Sequence, residues 1–554
     1  MIRMFKPLLV VILAALVSCR TSGPGATNPD KRAPLFNGMG RHHRAVTTSS
    51  LKAQRYFDQG LIWAYAFNHD EAIRSFTECT RLDPNCAMCW WGIALCNGPH
   101  INNPIMPPER SKAAWDAGQR AMALKNLATP AERALIDALA KRYADPAPSD
   151  RKAFDEAYAS AMRDVWKTYP NDADVGTLFA EAAMDLRPWN LWMKDGSAQP
   201  GTDEILATLD RVRTLNPDHP AALHLYIHTV EASPDPDRGT TAADRLRGLV
   251  PASGHLVHMP SHIDVLTGRW ADASKQNEMA IKADRKYRAI SPKQDFYRVY
   301  MAHNHHMLSF ASMMEGRGDE CVKAARDMVN GVPDDYARSQ TALVDPSMAI
   351  TYEALMRFGR WDDILKEPAP ASYLPITNAL WHFARGVAYA AKGEVPSADR
   401  ERTAFMEAAG RVPEGTMMAI NPAKDILAIA EHMLNGEIAY RRGSIDEVVA
   451  ELNKAIVVED DLMYMEPPEW IQPVRHTLGA ILVDESRYEE AEKVYRADLK
   501  KWPENGWSLY GLAKCLRARG ATAEAAQIDK RFKKVWSRAD TTIGSSCLCV
   551  KGKS

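Results

Sequence analysis

The sequence has no surplus of charge: 69 Lys and Arg stand against 70 Asp and Glu. No global field therefore draws the chain to nucleic acid, and no nucleic-acid partner is expected. Runs of β-branched residues are short and rare outside the N-terminus, so strands are not expected anywhere. The apolar run from Leu8 to Val17 is too short for a permanent membrane span. Phosphate loops, dinucleotide fingerprints, HExxH and nucleophile motifs are all missing, so no nucleotide is expected either.

What is present is a long, alanine-rich chain. At 554 residues it exceeds one compact core and calls for several domains or an extended repeat array. Its first residues, MIRMFKPLLVVILAALVSC, carry Arg3 and Lys6, then the apolar run, and close on Leu16-Val17-Ser18-Cys19. This is the pattern of an export signal ending in a lipobox. Residues 1–18 are expected to be a lipoprotein signal peptide and Cys19 the lipidated first residue of the mature chain, anchoring it to a membrane. Arg20, rather than Asp, follows Cys19, which under the usual sorting rule suggests the outer membrane. The expected location is the bacterial cell envelope, facing the periplasm, or outside the cell. Residues 19–48 are rich in Gly, Pro and Ser and read as a flexible tether in which His42 and His43 are solvated. Export places the remaining cysteines in an oxidising compartment. Cys86, Cys89, Cys96, Cys547 and Cys549 are then disulfide candidates, for instance between the tail and the 86–96 region, while one CxxC is a weak metal signal.

Internal periodicity sets the fold. Residues 56–84, YFDQGLIWAYAFNHDEAIRSFTECTRLDP, match the tetratricopeptide repeat, a 34-residue helical hairpin. With Ala53 at repeat position 1, Gly60 takes position 8, Trp63 position 11, Ala72 position 20, Phe76 position 24 and Pro84 position 32. Cys79 falls at position 27 and reads as a packing residue. The same register recurs near the C-terminus, where Gly479 takes position 8, Ala491 position 20, Tyr495 position 24 and Pro503 position 32. Segments 378–405 and 427–456 are further hairpins, and 351–365 a degenerate one. The fold class is all-α, an α-solenoid of tetratricopeptide-type hairpins. We divide it into an N-terminal array at 49–345 with a His-rich groove, a C-terminal array at 346–540 and a Cys-containing tail at 541–554. Two Pro-bearing loops, 98–110 and 181–201, interrupt the pattern and are places where function could sit.

Half of the sixteen histidines fall in three short stretches, AALHLYIHTVEAS, GHLVHMPSHIDVLTGRW and AHNHHMLSF. Pro217, at position 32 of one repeat, starts the next at Pro220 and places His224, His228 and Glu231 at positions 5, 9 and 12. Gly268 and Ala273 start another at Gly254, with His255, His258 and His262 at positions 2, 5 and 9. Gly316 starts a third at Ala302, with His303 and His306 at positions 2 and 5; His305, at position 4, is left out of the set. In tetratricopeptide proteins as a family these first-helix positions line the concave groove, so by that likeness seven imidazoles and one carboxylate are expected on one surface. Clustered imidazoles oppose one another's charging and should be largely neutral at pH 7 unless carboxylates intervene. Neutral imidazole is a common ligand for copper, zinc or iron, and the set is large enough for two ions. Met259 and Met307 could add thioether ligation or simply fill the core; Tyr226 reads as core. For any single histidine, hydrogen bonding inside the superhelix is the better account; metal binding is the reading of the whole set.

The segments CAMCWWGIALCNGPHIN, DLRPWNLW, HLYIHTVEAS, GHLVHMPSHI and AHNHHM, with WIQPVRHTLGA and NGWSLYGL, run through nearly the whole mature chain. On them the chain resembles a family of bacterial tetratricopeptide repeat (TPR) lipoproteins and secreted proteins with His-rich groove motifs. That resemblance implies the fold and an exported location, and no reaction. Three functions remain open. One is metal binding or delivery through the histidines; the second is a metal-dependent enzyme of hydrolase or oxidase type, with the Trp189/Trp192 loop closing a substrate pocket. The third is a scaffold holding a protein or peptide in the groove.

Overall fold

The computed structural model describes residues 32–292 and 294–550. The expected signal peptide, Cys19 and the first part of the tether lie outside the described residues. The first hairpin pairs Leu51–Tyr65 with His69–Leu82. Ser50 and Asn68 cap the two helices, their side chains accepting from Ala53 N and Glu71 N. The repeat pattern has a direct steric cause here. Phe76 lies between Gly60 of its own hairpin and Gly92 of the next helix, Ala87–Asn97; a Cβ at either glycine would stand 2.7 Å from the ring. Tyr495 is held the same way between Gly479 and Gly511. Glycine at position 8 is thus the space an aromatic at position 24 occupies, twice over.

Further hairpins follow as the periodicity predicts: Ile350–Arg357 with Trp361–Lys366, Pro375–Ala391 with Val395–Ala409, Ala423–Arg442 with Ile445–Asp461, Val474–Asp484 with Tyr488–Lys501, and Gly506–Ala518 with Thr522–Val535. This is an all-α solenoid of tetratricopeptide-type hairpins. One short antiparallel pair, Met417–Met418 with Asn421–Pro422, departs from the expectation of no strands. No helix among the described residues is long and apolar enough to cross a membrane.

The superhelix closes on itself. Trp270 Nε1 donates to Pro503 O at 2.8 Å, Trp507 Nε1 to Met313 O at 2.7 Å, and Lys194 Nζ to Asp461 at 2.7 Å. Two apolar cores result, one around Trp63, Phe76, Trp91 and Phe179, the other around Trp270, Phe310, Phe383 and Trp507; they adjoin within 259–307.

Two expectations need correction. The described part of the expected tether, residues 32–48, is a packed strap. Tyr56 Oη donates to Ala33 O, Phe36 packs on Trp63 at 5.3 Å between ring centroids, and Ala252 N donates to Gly38 O. His42 and Arg44 reach Asp174 and Asp172, while His43 pairs with Asp58 at 2.8 Å. Composition signals flexibility, but the pairings of His42 and Arg44 span more than a hundred residues and leave no local trace. The cysteines also pair differently. Cys79, expected to pack as a thiol, is joined to Cys89, and the tail closes within itself as Cys547–Cys549 rather than on the 86–96 region, where Cys86 and Cys96 are free.

Candidate metal centre

Three consecutive first helices supply the histidines. Pro220–Val230 starts with proline at N1, where no intrahelical N–H is needed, and carries His224 and His228 one turn apart. Glu231 follows as its last cap. Gly254–His258 begins at Ser253 and carries His255 and His258; Pro260, lacking a donor, restarts the helix as Pro260–Leu266, which carries His262. Arg298–Met314 begins four residues before the expected Ala302, yet still brings His303 to 4.7 Å from His258, ring to ring.

The imidazoles form two sets of three, and His228, Glu231 and His262 make a further group that joins them. One ring nitrogen from each of His224, His228 and His255 lies within 4.8 Å of the others, and the same holds for His258, His262 and His303. His306, half-buried, belongs to neither, and its imidazole is lowered to about 4 by burial alone. The groove is filled: His224, His228, His255, His258, His262 and Glu231 are all buried, with Phe67, Trp189 and Tyr300 packed on their rings and Glu466 reaching in from the C-terminal array.

Four of the six imidazoles are oriented alike. His224 Nδ1 lies 2.8 Å from Tyr65 O, His258 Nδ1 2.7 Å from Asn277 Oδ1, His228 Nδ1 2.8 Å from Glu231 Oε1, and His262 Nδ1 2.5 Å from Glu231 Oε2. Each acceptor is an oxygen, so these partners assign the proton to Nδ1 and turn Nε2 inward. The inward nitrogens approach one another: His224 Nε2 is 3.1 Å from His255 Nε2, His258 Nε2 is 2.6 Å from His262 Nε2, and His228 Nε2 is buried without a hydrogen-bond partner.

Electrostatics follow from burial and from two carboxylates. Burial and neighbouring imidazoles hold His224, His255, His258 and His303 well below the ordinary histidine value. His262 is the exception. Burial would lower it, but Glu466 and Glu231 raise it to about 10. Burial likewise opposes ionisation of Glu231, and His228 with His262 outweigh it, bringing the carboxyl to about 2. In the metal-free protein His262 is thus held as an imidazolium, donating from Nδ1 to the carboxylates and from Nε2 to His258, and it can ligate only where an ion displaces the Nε2 proton.

Glu466 escaped sequence reasoning. It arrives from the loop after Ile445–Asp461, places Oε1 3.0 Å from His262 Nδ1, and leaves Oε2 buried without a partner. Only closure of the superhelix brings it there, so no local signal marks it. Asn277 did carry a signal: it occupies position 24 of its repeat, where Phe76 and Tyr495 stand in others. Around the cluster, Trp189 packs edge-on to His228 at 5.3 Å, and Trp192 Nε1 donates to Thr229 O at 2.7 Å, so the loop after Ala173–Met184 does border the site. A separate group joins His42 Nε2, His219 Nε2 and Tyr65 Oη to one oxygen of Asp174, at 2.9, 3.1 and 2.6 Å. Arg44 covers its other oxygen at 3.3 Å. With a guanidinium and three donors on one carboxylate, this group pins the strap.

No protein-family model matches the chain, and no curated protein does. Among solved structures, the human IFIT1 dimer with m7Gppp-AAAA is 13% identical, over 88% of this chain and 91% of that one, with a TM-score of 0.31. The APC/C hetero-tetramer Cut9-Hcn1 is 12% identical, over 87% of this chain and 76% of that one, with a TM-score of 0.30. The fold class rests on the hairpin packing of the chain itself.

Proposed function

We propose that this chain is an exported, lipid-anchored tetratricopeptide-type protein whose closed interior binds transition-metal ions through His224, His228, His255, His258, His262 and His303. The observation that carries this is the shared orientation of four of the six imidazoles, with Nδ1 held outward by oxygen acceptors and Nε2 turned toward a common interior. Histidines that ligate metals donate their other N–H to a carboxylate, carbonyl or water in this way. Glu231, expected from its repeat position to be a ligand, takes the role of an orienting carboxylate behind two imidazoles. A peptide lying in the groove would not reach these side chains without opening the chain, so a scaffold role would use another surface.

Equilibrium dialysis of the metal-stripped full chain against copper, zinc or iron, beside a His228→Ala/His258→Ala variant, tests the proposal. Retention of at least one ion by the wild type and loss in the variant is the expected result. A wild type that retains none of the three would end the metal reading.

A further inference from the structure

Two histidines of the cluster differ from the rest. His224, His228, His255, His258 and His262 are buried, whereas His303 and His306 are half-buried. Each of the five buried imidazoles has a hydrogen-bond partner through at least one ring nitrogen. Among the described residues, His303 and His306 have none through either. An imidazole without a hydrogen bond keeps its acceptor nitrogen open to an ion.

Both lie on Arg298–Met314, where Tyr300, His303 and His306 follow one another at intervals of three. Each step falls about 60° short of a full turn, so the stripe winds out from the interior. Tyr300, 4% exposed, packs on His255 at 4.3 Å between ring centroids. His303 packs on His258 at 4.7 Å and on His262 at 5.8 Å. The stripe therefore leads from the first histidine set, past the second, to an imidazole that belongs to neither. Elsewhere aromatic rings stand over the cluster: Phe67 lies 4.5 Å from His224 and Trp189 5.3 Å from His228. Among the described residues, the rings that pack on His303 are imidazoles alone. An ion that arrives there meets ligands first and has no aromatic ring to displace. Side chains at i and i+3 on a helix are neighbours, so His306 can pass an ion to His303. Such a transfer runs at an effective concentration that a fresh encounter from solution does not match.

We propose that His303 and His306 are the port of the buried centre. His306 receives a copper, zinc or iron ion, and His303 hands it to His258 and His262. This port rests on the metal-binding reading and adds the route by which the site fills; His306 is a transfer ligand and not a resident one. The test mixes the metal-stripped full chain with the 4-(2-pyridylazo)resorcinol complex of copper(II), zinc(II) or iron(II). Loss of colour gives both the rate of uptake and the final amount. His306→Ala should take up the wild-type amount at a rate lower by about tenfold or more. An unchanged rate, or a smaller final amount, would overturn the port and leave metal binding intact. No uptake of any of the three ions by the wild type would overturn both. A second measurement needs neither a variant nor a metal. Diethyl pyrocarbonate acylates the acceptor nitrogen of a neutral imidazole, releasing ethanol and carbon dioxide. In the metal-free wild type, His303 and His306 should be modified before the five buried histidines. Modification of His306 no sooner than those five would overturn the port.

Discussion

A neutral imidazole has one donor and one acceptor, so whatever accepts the Nδ1 proton decides which nitrogen remains to bind. At His228 and His262 that acceptor is the single carboxylate of Glu231. Glu231→Gln keeps the shape but offers one oxygen where two were used, so metal affinity should fall by about 10–100-fold. Competition titration against a chelator checks this, and an unchanged affinity would remove Glu231 from the site. A second carboxylate, beside the cluster but not bonded to an imidazole, tests the electrostatics of burial. Asp284, 4% exposed, accepts from Asn304 Nδ2 at 2.7 Å, and burial raises it to about 7 from 3.8. A raised acid stabilises the fold at low pH, and that contribution is lost as pH rises from 3.8 toward 7. Asp284→Asn should therefore gain on the wild type over that interval, by up to about 1.4 kcal/mol per pH unit, and level off above it. Paired melts of the two proteins measure the difference; a difference that shrinks with rising pH would contradict the burial argument.

At the scale of elements, hairpin spacing is set by aromatic rings seated on glycines. Gly92→Ala drives a methyl into Phe76, and Gly511→Ala does the same at Tyr495. Each should cost about 1–3 kcal/mol, read as a lower denaturation midpoint. This is also why the hairpins were legible: positions 8 and 24 lie close in sequence and impose a shape on each other. The same register made Asn277 readable in principle, as an amide where an aromatic belongs. The strap was not readable. His42 and Arg44 meet Asp174 across 132 and 130 residues, and nothing near them in sequence signals a partner. His42→Ala/Arg44→Ala should release the strap, giving rapid proteolysis around residues 32–48 while the hairpins stay intact. Resistance equal to the wild type would mean the apolar anchors at Ala33 and Phe36 suffice.

At the scale of the whole molecule, three repeats place their histidines together because each repeats one register, so all six proposed ligands were placed by Gly, Ala and Pro positions alone. His303 kept its place although its helix starts early, whereas His306 fell outside. Glu466 was invisible because it depends on how the ends of the superhelix meet. That dependence has a consequence: a bound ion ties Pro220–Val230, the helices around Pro260 and the Glu466 loop into one unit. Metal at about a hundred times its dissociation constant should add about 2.7 kcal/mol. It should raise the melting temperature of both arrays together, and a shift confined to one array would argue against the bridge. The most direct test of the central claim is elemental analysis of the full chain, produced untagged and purified without added metal, beside His228→Ala/His258→Ala. The account predicts one or two equivalents of copper, zinc or iron in the wild type, and their loss in the variant. A wild type that emerges metal-free and cannot be reloaded with copper, zinc or iron would contradict it.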